Sequence, residues 1–165
     1  MLSTFAREAL WFLPFVVPVA FWVCYTDMKY MKIRNTAVLT LLGIFAVVGL
    51  ITLPLEDYAW RWLQVVVVLA LGFVLTVLGL IGAGDAKFAA PMAGFIAYGD
   101  LRLFLVIFAA TLLGAFVAHR GMRAIPMVRA AAPDWVSWTS KKFPMGLALA
   151  GSLVLHLVFV AIYGR

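Results

Sequence analysis

Charged side chains are scarce in this chain: Asp, Glu, Lys and Arg make up 12% of its 165 residues. The remainder is 66% hydrophobic, with a mean hydropathy of +1.09, more apolar surface than a water-soluble domain of this size can hide. A soluble fold is excluded, and the chain reads as an integral membrane protein. Cysteine is nearly absent. Cys24 stands alone, which rules out an intramolecular disulfide and any CxxC metal site and leaves it as an apolar packing residue. Only two histidines occur, His119 and His156, far from each other and from any acid cluster, so no metal site and no cofactor are expected. Linkers, internal repeats and low-complexity tracts are also missing, which points to one membrane domain over residues 1–165.

What is present is a series of uncharged runs: Ala9–Thr26, Asn35–Leu55, Trp62–Gly84, Phe88–Gly99, Leu103–His119 and Phe143–Gly164. A helix needs roughly 20 apolar residues to cross the hydrocarbon, so the pattern predicts an all-α bundle of six transmembrane helices. The fourth run is short, and its helix should start among Asp85–Lys87, near or inside the membrane interface. The first run has no net basic flank, since Arg7 adjoins Glu8, and Phe21–Tyr25 offers no small-residue cleavage site. It therefore reads as a span and not as a removable signal peptide.

Loop charge orients the bundle. With six alternating spans, one side carries Lys29, Lys32, Arg34, Lys87, Arg120, Arg123, Arg129, Lys141 and Lys142. The other has only Arg7, Arg61, Arg102 and Arg165. Nine basic residues against four make the first side cytoplasmic and both termini external. The net charge of +6 is thus a topology signal, not a nucleic-acid-binding stripe. Trp60, Trp62, Tyr98 and Tyr163 fall at external boundaries and Tyr25, Tyr30, Trp135 and Trp138 at internal ones, as aromatic belts do. Residues 120–142, the longest loop, mix basic and apolar side chains in a way that suits an anionic membrane surface. No direct substrate contact is assigned to them.

Two acids stand out. Asp27 ends the first apolar run, and Asp85 follows Gly82-Ala83-Gly84 where the third run gives way to the fourth. An ionisable residue at membrane depth is a functional-site hypothesis, because withdrawing its charge from water is costly. Both acids fall on the predicted cytoplasmic side. Paired carboxylates can hydrolyse a peptide: one takes a proton from water while the other, still protonated, polarises the scissile carbonyl. Sharing one site splits their titrations, so the pair holds a single proton over a useful pH range. Gly82 and Gly84 supply backbone free of side chains, open to positive φ and to close approach of an extended substrate.

Each of these residues has a plainer reading. Asp85 can simply cap the next helix, and Asp27 can balance Lys29 and Lys32 at the interface. Lys87 can hold substrate carboxyl groups or tune the acids, or can snorkel to the interface. Asn35 reads as a cap of the second span, and Asp57 and Asp100 as solvated external acids. In the fourth span Ala86, Ala90 and Gly94 form one row of small residues and Ala89, Ala93 and Ala97 a second, so close packing puts this helix in the middle of the bundle. Pro91 can bend it there.

The chain resembles the type IV prepilin peptidases, especially the short form associated with tight-adherence (Flp) pili. Three features carry the resemblance: Asp27 followed at eight residues by Asn35, Gly82-Ala83-Gly84-Asp85-Ala86-Lys87 as the GxGD motif with its trailing lysine, and Phe143-Pro144-Met145-Gly146 opening the last span. Arg34 stands where the family's first motif has proline. The resemblance implies an aspartic endopeptidase of the bacterial inner membrane with Asp27 and Asp85 catalytic and Gly82, Gly84, Lys87 and Asn35 in support. Its partner would be a prepilin or pilin-like precursor, with a basic leader in the cytoplasm and an apolar stretch in the bilayer. Longer members add a cysteine-rich domain linked to N-methylation. This chain has no such insertion, so peptidase activity is implied without methyl transfer. Two other classes compete on the residues alone: a proton-coupled transporter subunit using the acids as a relay, and a noncatalytic pilus or secretion assembly protein.

Overall fold

The computed structural model describes residues 3–165, and all regular structure among them is helical. Seven α-helices follow in order: α1 (Ala6–Tyr30), α2 (Asn35–Thr52), α3 (Leu55–Val77), α4 (Ala83–Ala93), α5 (Leu101–Ala124), α6 (Pro126–Ala131) and α7 (Met145–Tyr163). Single 3₁₀ turns occupy Tyr98–Asp100 and Val136–Trp138. Five helical stretches are long and apolar enough to cross a membrane: α1, α2, α3, α5 with its preceding turn, and α7. This is an all-α, multi-pass membrane architecture.

The six-helix expectation fails at α4. Its 11 residues span about 16 Å, roughly half the hydrocarbon thickness. The run is broken by its own composition. Pro91 has no N–H to donate to the helix, and after Ala93 the backbone continues as turns through Gly94, Phe95 and Ile96. Non-helical backbone at membrane depth is tolerated where protein covers it. Here Gly94, Phe95 and Ile96 are buried, and the Phe95 ring meets Phe12 of α1 and Phe45 of α2. The two rows of small residues do make α4 central, packed against α2, α3 and α7. At the tightest crossing a Cβ added to Gly72 of α3 would lie 3.0 Å from that of Ala86.

The third run also departs from its predicted bounds. α3 begins at Leu55, before the uncharged stretch, because Glu56 and Asp57 favour its first turn. It stops at Val77, and Gly79, at φ +74°, makes the reversal towards α4 that a residue with a Cβ would resist. α1 and α7 run antiparallel through the middle of the molecule, with the Ala6 amide bonded to the Arg165 carbonyl at one end. Cys24, half-buried on α1, packs against this core.

Two charged contacts fasten the end of the bundle where α1 starts. Arg61 on α3 donates to Glu8 on α1 at 2.9 Å, and both side chains are 5–6% exposed. Asp100, expected to be solvated, is instead buried. It accepts the amides of Ser3 and Thr4 and the Thr4 hydroxyl at 2.5–2.9 Å, because the turn before α5 folds under the start of the chain. Removing one partner of a buried pair leaves an uncompensated charge. Glu8→Ala is therefore expected to destabilise the protein by about 3–5 kcal/mol, and Glu8→Gln with Arg61→Met by much less. Thermal unfolding in detergent measures both. A single variant that melts like the wild type would remove the pair from the list of contacts that hold the fold.

Candidate active site

Asp27 lies in the last full turn of α1, one turn earlier than the end of the helix. α1 continues to Tyr30, and Met31 then takes the left-handed conformation (φ 52°), its amide donating to the Asp27 carbonyl at 2.8 Å. The Asp27 side chain is 5% exposed and points at α7. There the Gly146 amide donates to Oδ2 at 2.6 Å. Gly146 is the second residue of α7, where backbone N–H groups have no partner within the helix. Asp27 thus satisfies a helix N-terminus supplied by another part of the chain, and the buried carboxyl gains a donor without a second charge.

Asp85 has a parallel setting. It is the third residue of α4, and its Oδ2 lies close over Gly82, the N-cap of that helix. It is half-buried, and Lys142, from the far end of the chain, is the cation it feels. From the start of α4 the carboxyl lines the cavity described next.

The two acids line one cavity of about 350 Å³ at the end of the bundle opposite the Glu8–Arg61 pair. Met31, Lys32, Ile33 and Asn35 come from the α1–α2 turn, Gly82–Lys87 from the start of α4, and Lys142, Phe143 and Met145 from the approach to α7. Three short connections converge here. All six residues singled out in the sequence, Asp27, Asp85, Gly82, Gly84, Lys87 and Asn35, are in the lining.

Some expected roles change. Neither Gly82 (φ −72°) nor Gly84, inside α4, has positive φ; that conformation belongs to Gly79 alone among the described glycines. What Gly82 supplies is space, since a Cβ there would sit 2.6 Å from Asp85 Oδ2. A Cβ on Gly84 would meet Ile33 at an ordinary 3.5 Å. Asn35 makes no capping hydrogen bond. It is the first residue of α2, exposed at the cavity edge. Lys87 is likewise exposed at the rim. Sequence reasoning missed Gly146, Lys142 and Ile33. The Pro144-Met145-Gly146 start of α7 was the available signal for the first, read only as a helix opening. Of residues 120–142, to which no direct substrate contact is assigned, Lys142 lines the cavity.

The rest of that loop covers the same end. Trp138 stacks between His119 and Trp135, with ring centroids 5.5 Å apart on each side, and Trp135 meets Tyr25 of α1 edge-on. Lys29 bonds Asp134 at 2.9 Å and holds that exposed carboxyl below the usual carboxylate range. The loop is thereby tied to the turn of α1 that carries Asp27.

Two carboxyls in one polar cavity at one end of a multi-pass helical bundle are an arrangement suited to acid–base chemistry. Residues 15–119 match the type IV leader peptidase family, and the chain belongs to it. The matched region includes both acids, the glycine turn and α4. No curated protein and no solved structure is significantly similar to the chain.

Gly146 tests the geometry directly. A Cβ at this position would lie 2.9 Å from Asp27 Oδ2 and 3.0 Å from its Cβ, so Gly146→Ala must push the carboxyl away. The expected result is a protein that still inserts but melts at a lower temperature, and that loses about 100-fold in proteolytic turnover at temperatures where it remains folded, the scale of a misplaced catalytic group. Reconstituted cleavage assays beside melting curves separate the two effects. Gly84→Ala, with room for its methyl, is expected to stay within a fewfold of wild type.

Proposed function

We propose that the protein is an intramembrane aspartic endopeptidase that removes the basic cytoplasmic leader of a prepilin or pilin-like precursor, with Asp27 and Asp85 as the catalytic pair. One observation carries this reading: two carboxyls 58 positions apart in sequence line the same polar cavity, each at the start of a helix, Asp85 at its own α4 and Asp27 on the first turn of α7. Family membership supports the class of reaction, and the loop charges support a cytoplasmic active site in a bacterial inner membrane with both termini outside. α4 and the turns after it would make the fourth of six passages, a short one. That path is supported by Asp85 lying at one end of the bundle and Asp100 at the other.

The chemistry follows from a shared proton. The ionised carboxyl takes a proton from a water held in the cavity while the protonated one donates to the scissile carbonyl. The roles reverse as the tetrahedral intermediate collapses and the leaving amine is protonated. An extended segment at the bilayer boundary is the substrate conformation this needs, because helical carbonyls are already hydrogen-bonded. Gly82, lacking a side chain at the cavity mouth, leaves room for that backbone, and Asn35 and Lys87 at the rim are suited to its polar groups. The single-domain chain carries no cysteine-rich insertion, so processing without methyl transfer is the activity assigned.

Asp27→Asn and Asp85→Asn are each expected to lower leader removal by at least about a thousandfold while the protein still inserts and folds, consistent with the loss of an acid–base partner. Purified protein and a leader-bearing precursor, resolved by gel shift and N-terminal sequencing of the product, provide the measurement. Full cleavage by either variant would overturn the dyad. Proton flux in liposomes without cleavage would favour a relay instead.

A further inference from the structure

A second concavity lies at the other end of the molecule. α5 packs on α7 but stands away from α3 and α4, and only Phe104 and His119 of its 24 residues are buried. The space between is a groove of about 930 Å³. Leu63, Val67 and Val68 of α3 form one wall, Leu101, Leu105 and Phe108 of α5 the other, and small residues of α4, among them Ala89 and Ala93, the floor. The outer end is different. Ser3, Asp57, Arg61 and Gln64 gather there beside Trp60 and Tyr98.

Arg61 is 95% buried, and Glu8 engages only its Nη2. Its Nη1 has no partner, nor has Gln64 Oε1 one helical turn along the same face. Buried donors and acceptors are nearly always satisfied, so an orphan pair in the wall of an apolar groove marks a place where something else binds. From Asp57 to Val68 the groove runs about 16 Å, the depth of one leaflet. It shares no lining residue with the acidic cavity, and Ala89 of α4 and Leu149 of α7 line its inner end.

We propose that the groove is a binding site for one phospholipid of the leaflet at the α1 N-terminal end, with its phosphate on Arg61 Nη1 and an acyl chain along the groove. The headgroup carries a hydrogen-bond donor, which the free Gln64 Oε1 and the exposed Asp57 at the rim accept. Phosphatidylethanolamine and phosphatidylglycerol have this chemistry, whereas phosphatidylcholine has the phosphate without the donor. Trp60 and Tyr98, amphipathic rings suited to the headgroup level, flank the outer end of the groove.

The test needs no proteolysis and is independent of the proposed activity. Native mass spectrometry of the detergent-purified protein, titrated with each lipid, should find one phosphatidylethanolamine or phosphatidylglycerol retained at least tenfold more tightly than phosphatidylcholine. Ala93→Trp and Leu105→Trp, which fill the groove without touching Arg61 or Glu8, should reduce that retention at least tenfold. Dodecyl phosphate should displace the lipid and dodecyl trimethylammonium should not, which tests the phosphate contact even where Arg61→Gln fails to fold. Unchanged retention in both tryptophan variants would overturn the groove as the site. Equal displacement by the two amphiphiles would overturn the role of Arg61.

Discussion

The Asp27 carboxyl accepts the amide of Gly146 at 2.6 Å, across 119 positions of sequence, and the arrangement of the rest follows from that contact. It joins the last turn of α1 to the first turn of α7. At the opposite end the same two helices are joined by the Ala6–Arg165 backbone bond. Between these two ties α1 and α7 form a continuous buried seam, with Ala9, Phe12, Val16 and Val23 on one side and Ala150, Leu153, Leu157 and Val160 on the other. In lipid there is no hydrophobic driving force between helices, so close packing and polar ties at the ends must supply specificity. A carboxyl that satisfies a helix N-terminus is such a tie, and in this protein it also lies in the polar cavity. Position and chemistry therefore have one cause: the carboxyl is held in place by the group that makes its burial tolerable.

α4 solves a related problem by being short. A full-length helix would carry Asp85 on a rod crossing the whole bilayer. The 11-residue helix instead begins at the cavity and gives way, below Pro91, to turns shielded by Phe12 and Phe45. Its small residues allow α3 to approach closely at Gly72, and the space that a longer, bulkier helix would fill towards α5 remains open as the lateral groove. The half-length helix thus shapes both concavities. Of the two acids at its end of the molecule, the buried Asp27 rests on a helix-terminal amide of α7, and the half-buried Asp85 sits at the start of α4 with Lys142 nearby.

The loop between α5 and α7 adds a cover fastened by different forces. Aromatic stacking through His119, Trp138, Trp135 and Tyr25 is joined by the exposed Lys29–Asp134 pair. Exposed ion pairs contribute little because solvent screens them, so the rings supply most of the attachment. Through this cover Lys142 and Phe143 reach the cavity.

Much of this was legible in the chain. Scarce charge and long apolar runs require helices that satisfy their own backbone in lipid, and the asymmetry of Lys and Arg orients them. Asp27 and Asp85 stand out because a carboxylate among apolar residues needs a reason to be there, and the glycines beside Asp85 mark a break between helices. Other features belong to pairs of residues that no local pattern links. Arg61 reads as a loop charge until Glu8 is found against it, Asp100 as a solvated acid until the start of the chain folds over it, and Gly146 as a helix opening until its amide meets Asp27. Hydropathy counts apolar residues but not where a helix stops, so the fourth run looked like one full-length helix. The amino-acid sequence by itself determined the membrane class, the orientation signal and the identity of the two acids, because these depend on composition and on one-dimensional spacing. Only the tertiary structure decided that the acids share a cavity, that α4 ends halfway and that Arg61 keeps one arm free, because each depends on which distant groups the packing brings within hydrogen-bonding reach.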